Sequence, residues 1–332
     1  MPRPFARLAL AALLVASAPL ALLAADDSKT YTDPKEAGPD YELQGEYSGE
    51  FTIDGAEVKY GVQIIALGDG TFEAVTYPGG LPGDGYSGSL PYEDLLKVEG
   101  KANDGKLEFT GDEFSAIVAD GKISVVANDG TEIGSIDKVE RKSPTLGKKA
   151  PEGAIVLFDG TSADKFENGK LVQEDLLLAD CFSKEKFGDH TMHLEFRTPF
   201  KPEARGQQRG NSGVYIQSRY ECQVLDSFGL SGENNECGGI YQLGKPKVNM
   251  CFPPLTWQTY DIDFTAAKYD GDGNKTENAR VTIKHNGVVI QDDLELLHAT
   301  PGRHKEGPEK DALYLQGHGN PVVFRNIWVV EK

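Results

Sequence analysis

Apolar and polar residues alternate with a period of two along most of the chain, and no long stretch carries a helical period. The clearest case is residues 211–226, NSGVYIQSRYECQVLD. Val214, Ile216 and Ser218 share one face there, and Tyr215, Gln217 and Arg219 share the other. After Tyr220 the pattern resumes, with Glu221 and Gln223 polar and Cys222 and Val224 apolar. Such alternation predicts half-buried β-strand, one face in a core and one turned outward. In 191–197, Met192, Leu194 and Phe196 oppose Thr191, His193, Glu195 and Arg197; in 313–318, Leu313 and Leu315 oppose Tyr314, Gln316 and His318. If these regions neighbour one another, their polar faces line one floor rich in groups that hold sugar hydroxyls.

Short strand-like runs fill residues 43–140, separated by Gly68-Asp69-Gly70, Asn103-Asp104-Gly105, Asp120-Gly121 and Asn128-Asp129-Gly130. Asp-Gly between alternating runs signals a hairpin, so this part is expected to be a small antiparallel β-domain, barrel or sandwich. It has no histidine and no catalytic constellation. Residues 141–152, RKSPTLGKKAPE, are basic and without apolar pattern, which predicts a linker with few contacts. Residues 153–332 again read as strands, nine or more, with a second hairpin signal at Asn286-Gly287. The whole chain is therefore expected to be all-β, and its second domain a jelly-roll sandwich of two sheets.

The first 25 residues stand apart. Arg3 and Arg7 precede an apolar run that ends in Ala24-Ala25, the order of a signal peptide, so an exported protein (periplasmic or extracellular) is expected. No later stretch is long enough for a membrane span. The formal charge of −18 becomes −20 once Arg3 and Arg7 leave with the leader. Such a chain repels nucleic acid and anionic membranes and favours a neutral ligand. Export permits disulfides, and Cys237 and Cys251 flank an irregular loop, so a bridge between them is expected. Cys181 with Cys222 is the remaining pair.

Three local patterns carry no chemistry. His190 and His193 would point to opposite faces of a strand, so no metal site is expected. Asp270-Gly-Asp272-Gly-Asn274 opens like a calcium loop, but Lys275 and Val281 stand where that loop needs Gly and Glu. Gly210-Asn211-Ser212-Gly213 lacks the spacing of a nucleophile elbow.

Several ordered motifs together resemble the 3-keto-disaccharide hydrolase domain family over about residues 152–331. They are Leu157-Phe158-Asp159-Gly160, Asn211-Ser212-Gly213-Val214-Tyr215, Tyr220-Glu221-Cys222-Gln223-Val224-Leu225-Asp226, the Trp257 strand, and the terminal run from Gly317-His318-Gly319-Asn320 to Ile327. The resemblance implies a concanavalin-like jelly roll, a carbohydrate substrate and cleavage of 3-keto-glycosides. It places Asn211, Glu221, Gln223, Asp226 and His318 in motif positions, although Asp226 alternates onto the apolar side.

A ketone at C3 acidifies the C2 hydrogen, so the site needs a base, donors to an enolate and a proton source for the leaving oxygen. Glu221 and His318 are the expected catalytic pair, either being the base, with Arg219 or Gln223 steadying the oxyanion. His193, Glu195, Arg209, Asn211, Tyr215, Gln217, Arg219, Gln223, Tyr241 and Gln316 are the expected substrate-binding set; no cofactor is implied. Two rivals stay open: a two-carboxylate glycosidase using Glu221 with Glu195, and a lectin-like module without turnover.

Overall fold

Asp-Gly pairs turn the first part of the chain back on itself repeatedly. In the computed structural model, which describes residues 29–332 apart from 54 and 89, Asp69, Asp104 and Asp120 all have positive φ and each precedes a glycine of positive φ. These turns match the right-handed twist of the strands they join. Eight antiparallel strands result, Gly45–Ile53, Ala56–Gly68, Thr71–Pro78, Leu96–Asn103, Lys106–Thr110, Phe114–Ala119, Lys122–Ala127 and Glu132–Val139. The first pairs with both the second and the last, which closes a barrel. Inward residues such as Ile64, Phe72, Leu107, Val118 and Ile136 fill it. The expected leader lies outside the described residues, among which no helix is long and apolar enough to cross a membrane.

The rest of the chain forms two facing sheets. A five-stranded sheet orders Phe166–Glu167, Cys181–Phe187, Asp311–Leu315, Ser212–Ile216 and Tyr220–Val224. An eight-stranded sheet is built around Val323–Glu331, His190–Arg197, Gln258–Thr265, Ala279–His285 and Val288–Leu296. Met192, Leu194 and Phe196 meet Val214, Ile216, Leu313 and Leu315 in the core between them. The protein is all-β, as the alternation predicted, and the apolar half of each alternating run lies in that core.

The segment 141–152 is not the contact-poor linker that its composition predicted. It lies across the outer face of the eight-stranded sheet. Ser143 Oγ meets Thr259 Oγ1 at 2.6 Å, Thr145 Oγ1 donates to Asp261 Oδ2 at 2.7 Å, and the Gly147 N–H donates to Glu195 Oε1 at 2.6 Å. Beneath this strap Glu195 also accepts from Arg325 Nε at 2.7 Å and Asn326 Nδ2 at 2.9 Å. His193 Nδ1 lies 3.0 Å from Asp261 Oδ1, and its ring stacks on Trp328. Polar strand residues that would otherwise face water are thus covered by a polar strap that supplies their partners.

The barrel and the sandwich also share apolar cores. Phe200 and Leu255 enter the barrel's core cluster, and Phe228 packs with Ile65, Val75, Tyr77 and Leu95. Gly229, at φ 78°, lies so close to Ile65 that a Cβ there would be 2.4 Å from its Cδ1. Arg209 donates to Asp226 Oδ2 at 2.7 Å and to the Ala66 carbonyl at 3.2 Å, while Arg141 grips Glu46 with two bonds of 2.6 and 2.7 Å. All four cysteines are free and buried, so the expected Cys237–Cys251 bridge is not formed. Cys237 Sγ sits 3.2 Å from Tyr260 Oη, and Cys251 Sγ donates to the Leu225 carbonyl at 3.5 Å. Backbone bonds between Ile240 and Gly244 restrain the loop that a disulfide was expected to hold.

Two predictions follow from this packing. Calorimetry of the full chain should show one cooperative transition, because separating the halves would expose Phe200 and Phe228, each worth about 1.5–3 kcal/mol of burial. Two well-separated transitions would contradict the shared core. Burial alone would raise the Glu195 carboxyl, but the His193 ring 3.7 Å away and hydrogen bonds from Asn326, Arg325 and the Gly147 N–H outweigh it and hold the group at about 2, against an ordinary 4.5. This depressed acid adds stability above pH 4.5 that is lost as pH falls through about 2. Glu195→Gln should cost about 3–5 kcal/mol in equilibrium denaturation at neutral pH, the scale of breaking a buried pair; a loss under 1 kcal/mol, roughly the worth of a surface pair, would refute it.

Candidate active site

The strands Ser212–Ile216 and Tyr220–Val224 pair with Tyr215 directly opposite Glu221 and Gly213 opposite Gln223. On the other side Tyr215 pairs with Tyr314, and Gln316 follows at the end of that strand. The Gln316 N–H donates to the Gly213 carbonyl at 2.8 Å, and Ser212 Oγ donates to the Gln316 carbonyl at 2.7 Å. Tyr215, Glu221, Gln223 and Gln316 therefore stand together on the outer face of the five-stranded sheet. They line a cleft of about 300 Å³ with Asn211, Tyr241, His318, Gln207, Asn235, Pro301 and Gly302.

Glu221 is the chemical centre of this cleft. It is 4% exposed. The Tyr215 hydroxyl donates to its Oε2 at 2.9 Å, and its backbone N–H is held by Thr300 Oγ1 at the same distance. Burial pushes the carboxyl up and the Tyr215 hydroxyl pulls it partly back, leaving it at about 7. Gly213 makes room for it: a Cβ there would come within 2.7 Å of Glu221 Oε1. Tyr215 itself is raised by burial and by the neighbouring carboxylate, so it stays a neutral donor.

The amides around Glu221 are fixed by one another. Gln207 Oε1 accepts from Asn211 Nδ2 at 2.9 Å and Gln223 Nε2 at 3.1 Å, and Gln207 Nε2 donates to the Asn235 carbonyl at 2.9 Å. Asn211 Oδ1 and Gln316 Oε1 are buried acceptors without a partner. A ligand with hydroxyl donors would satisfy both. The loop bearing Asn235 and Tyr241 extends the edge strand, with Gln223 N–H to Gly239 O at 2.9 Å and Gly238 N–H to Gln223 O at 3.0 Å. Among the described residues no group of three or more His, Cys, Asp or Glu side chains is arranged to hold a metal ion.

Of the residues expected from sequence, Asn211, Tyr215, Glu221, Gln223, Tyr241, Gln316 and His318 come together in the cleft. Five do not. His193 and Glu195 lie on the other sheet, beneath the strap, because alternation tells which face of a strand is polar but not which sheet it joins. Gln217 is not on the strand face: with Ser218 it forms the hairpin turn, both at positive φ, and its side chain donates to the Phe187 carbonyl. Arg219 follows that turn and binds the carbonyls of Gly307 and Glu309. Arg209 ties the sandwich to the barrel. Gln207, Asn235, Pro301 and Gly302 come from irregular segments where no periodicity marks them.

A larger cleft of about 450 Å³ lies elsewhere, between barrel and sandwich. It contains none of these residues.

A crystal structure of a "putative glycosyl hydrolase" from Parabacteroides distasonis is 33% identical over 55% of this chain and 85% of its own, with a TM-score of 0.51. Two further structures, each of a "putative glycosyl hydrolase" from the same organism, are 19% and 16% identical, cover 54% and 55% of this chain and 99% and 94% of their own, and have TM-scores of 0.38 and 0.37. No curated protein matches. Residues 153–330 match a family described as the 3-keto-alpha-glucoside-1,2-lyase-like domain, and the cleft lies wholly within them. The chain belongs to that family.

Proposed function

We propose that this carbohydrate-active protein cleaves 3-keto-glycosides, with Glu221 as the base. The observation that carries the reading is a single buried carboxylate with a pKa of about 7 among neutral amides and hydroxyls. A base is most effective when its pKa lies near the working pH. The two-carboxylate rival loses its second member, since Glu195 is under the strap and no other Asp or Glu lines the cleft. We read the sandwich as the concanavalin-like jelly roll, and the leader-like residues 1–25 support an exported protein.

The steps balance with this chain's own groups. Glu221 takes the C2 proton, and the C–H electrons form a C2–C3 enolate whose charge rests on the C3 oxygen. Tyr241 offers a donor to that oxygen, whereas both N–H bonds of Gln223 Nε2 are already held by Gln207 and the Asn235 carbonyl. The enolate re-forms the ketone, a C1–C2 double bond appears, and the C1 oxygen leaves with a proton supplied by His318 at the rim. Water then adds at C1 and gives its surplus proton back to His318, while protonated Glu221 returns its proton to C2. Asn211 Oδ1 and Gln316 Oε1 accept from sugar hydroxyls and hold the ring in place.

Glu221→Gln should lower turnover of a 3-keto-glycoside by about a hundredfold or more, the scale of a lost base. His318→Ala should bring a loss of similar size. Near-normal rates in both variants refute the assignment, and retained affinity in a parent without turnover on any keto-sugar would favour a binding module.

The pH profile gives a second test. Because the base works deprotonated, kcat/KM should rise with pH through about 7. Tyr215→Phe removes the hydroxyl that lowers Glu221, so the inflection should move to higher pH; a shift downward counts against the pairing. Stability has the opposite slope. The folded protein keeps the Glu221 proton up to about 7 while the unfolded chain loses it near 4.5, so this group's contribution falls as pH rises between them.

A further inference from the structure

We propose that the cleft between barrel and sandwich is a second saccharide site, separate from the one that holds Glu221. The proposal rests on the carbohydrate-active reading above but not on turnover. At about 450 Å³ the cleft has the size of an ordinary small-molecule site. Its walls come from both parts of the chain: the short helix Gly38–Leu43 and the barrel on one side, the loop 253–256 on the other.

Gln44 lies in its wall and is 2% exposed. Its Oε1 accepts the Ala66 N–H at 3.1 Å, which fixes the amide, and its Nε2 is a buried donor without a partner. A buried donor left unpaired is costly, and an acceptor on a ligand would recover that cost. Beside it Glu46 and Arg141 form their two-bonded pair, with Arg141 Nη1 also on the Pro82 carbonyl at 2.7 Å. These groups are locked before any ligand arrives, which lowers the cost of binding.

Charge selects the ligand class. Glu42, Glu46 and Glu140 are matched in the lining by Lys138, Arg141 and Lys142. The cleft is therefore formally neutral in a chain of charge −18, and it favours neither an anion nor a cation. Carboxylates, a guanidinium, an amide and the Tyr41 ring in one neutral cleft suit a ligand that offers hydroxyls as both donors and acceptors and an apolar ring face. A short neutral oligosaccharide has that chemistry. The barrel then acts as an accessory that holds substrate or product near the sandwich.

Calorimetric titration of the full chain with maltotriose and with cellotriose tests this, alongside two variants that fill one cleft each. Thr256→Trp fills the cleft between barrel and sandwich; Gln207→Trp fills the one around Glu221. Circular dichroism and thermal melting confirm that each is folded. The expected result is trisaccharide binding that survives Gln207→Trp and weakens at least tenfold in Thr256→Trp, while Thr256→Trp keeps parental turnover of a 3-keto-glycoside. Binding abolished by Gln207→Trp and unchanged by Thr256→Trp overturns the proposal, as does absence of binding by either trisaccharide, or tighter binding of inorganic phosphate. Failure of the catalytic reading would show separately, as no turnover in the parent protein.

Discussion

Burying one carboxylate without a cation beside it is the constraint on which the site depends. Glu221 is shielded from water and has a tyrosine hydroxyl as its hydrogen-bond donor, so its charged form is disfavoured and its proton is held to near neutral pH. A group in that state must be held by rigid surroundings, because a looser site would admit water and return the pKa to its ordinary value. The rigidity is a matter of strand register. Tyr215 lies opposite Glu221 because 212–216 and 220–224 are joined by a tight turn, and Gly213 leaves the space the carboxylate occupies. A slip of one residue would carry Glu221 into the core.

The neighbouring amides extend the same principle. Gln207 ties Asn211 to Gln223, and the Asn235 loop continues the sheet past its edge strand, so the cleft is arranged before substrate enters. Two acceptors remain open within this network. Preorganised polar groups of this kind hold a sugar without the cost of ordering flexible side chains.

Elsewhere the molecule handles buried charge in the opposite way. Glu195 and Asp261 are paired, and hydrogen bonds overcome burial to hold both well below the ordinary carboxylate range. That cluster binds the strap to the sandwich, while Arg141 with Glu46 ties the strap to the barrel and Arg209 with the Ala66 carbonyl ties the sandwich to it. Two glutamates on polar strand faces thus differ: Glu221 has one neutral donor and is held near neutral pH, and Glu195 has several partners and fastens the strap.

Alternation, Asp-Gly turns and the motif around Glu221 were enough to read the strands, the hairpins, the core face of each strand and seven of the residues in the cleft, because these depend on neighbours close in the chain. The turn at Gln217 and Ser218 escaped that reading because neither residue is a usual left-handed one, and the phase of the pattern was carried straight through it. Whether a polar face lines a cleft or lies beneath another segment is decided by sheet order, a pairing between residues far apart in sequence. His193 and Glu195 show this, as does the strap, whose polar composition resembled a free linker until the buried partners of Thr145 and Gly147 were in place. Local chemistry determined what each side chain could do; the tertiary arrangement decided which ones meet, because desolvation and hydrogen bonding act through space.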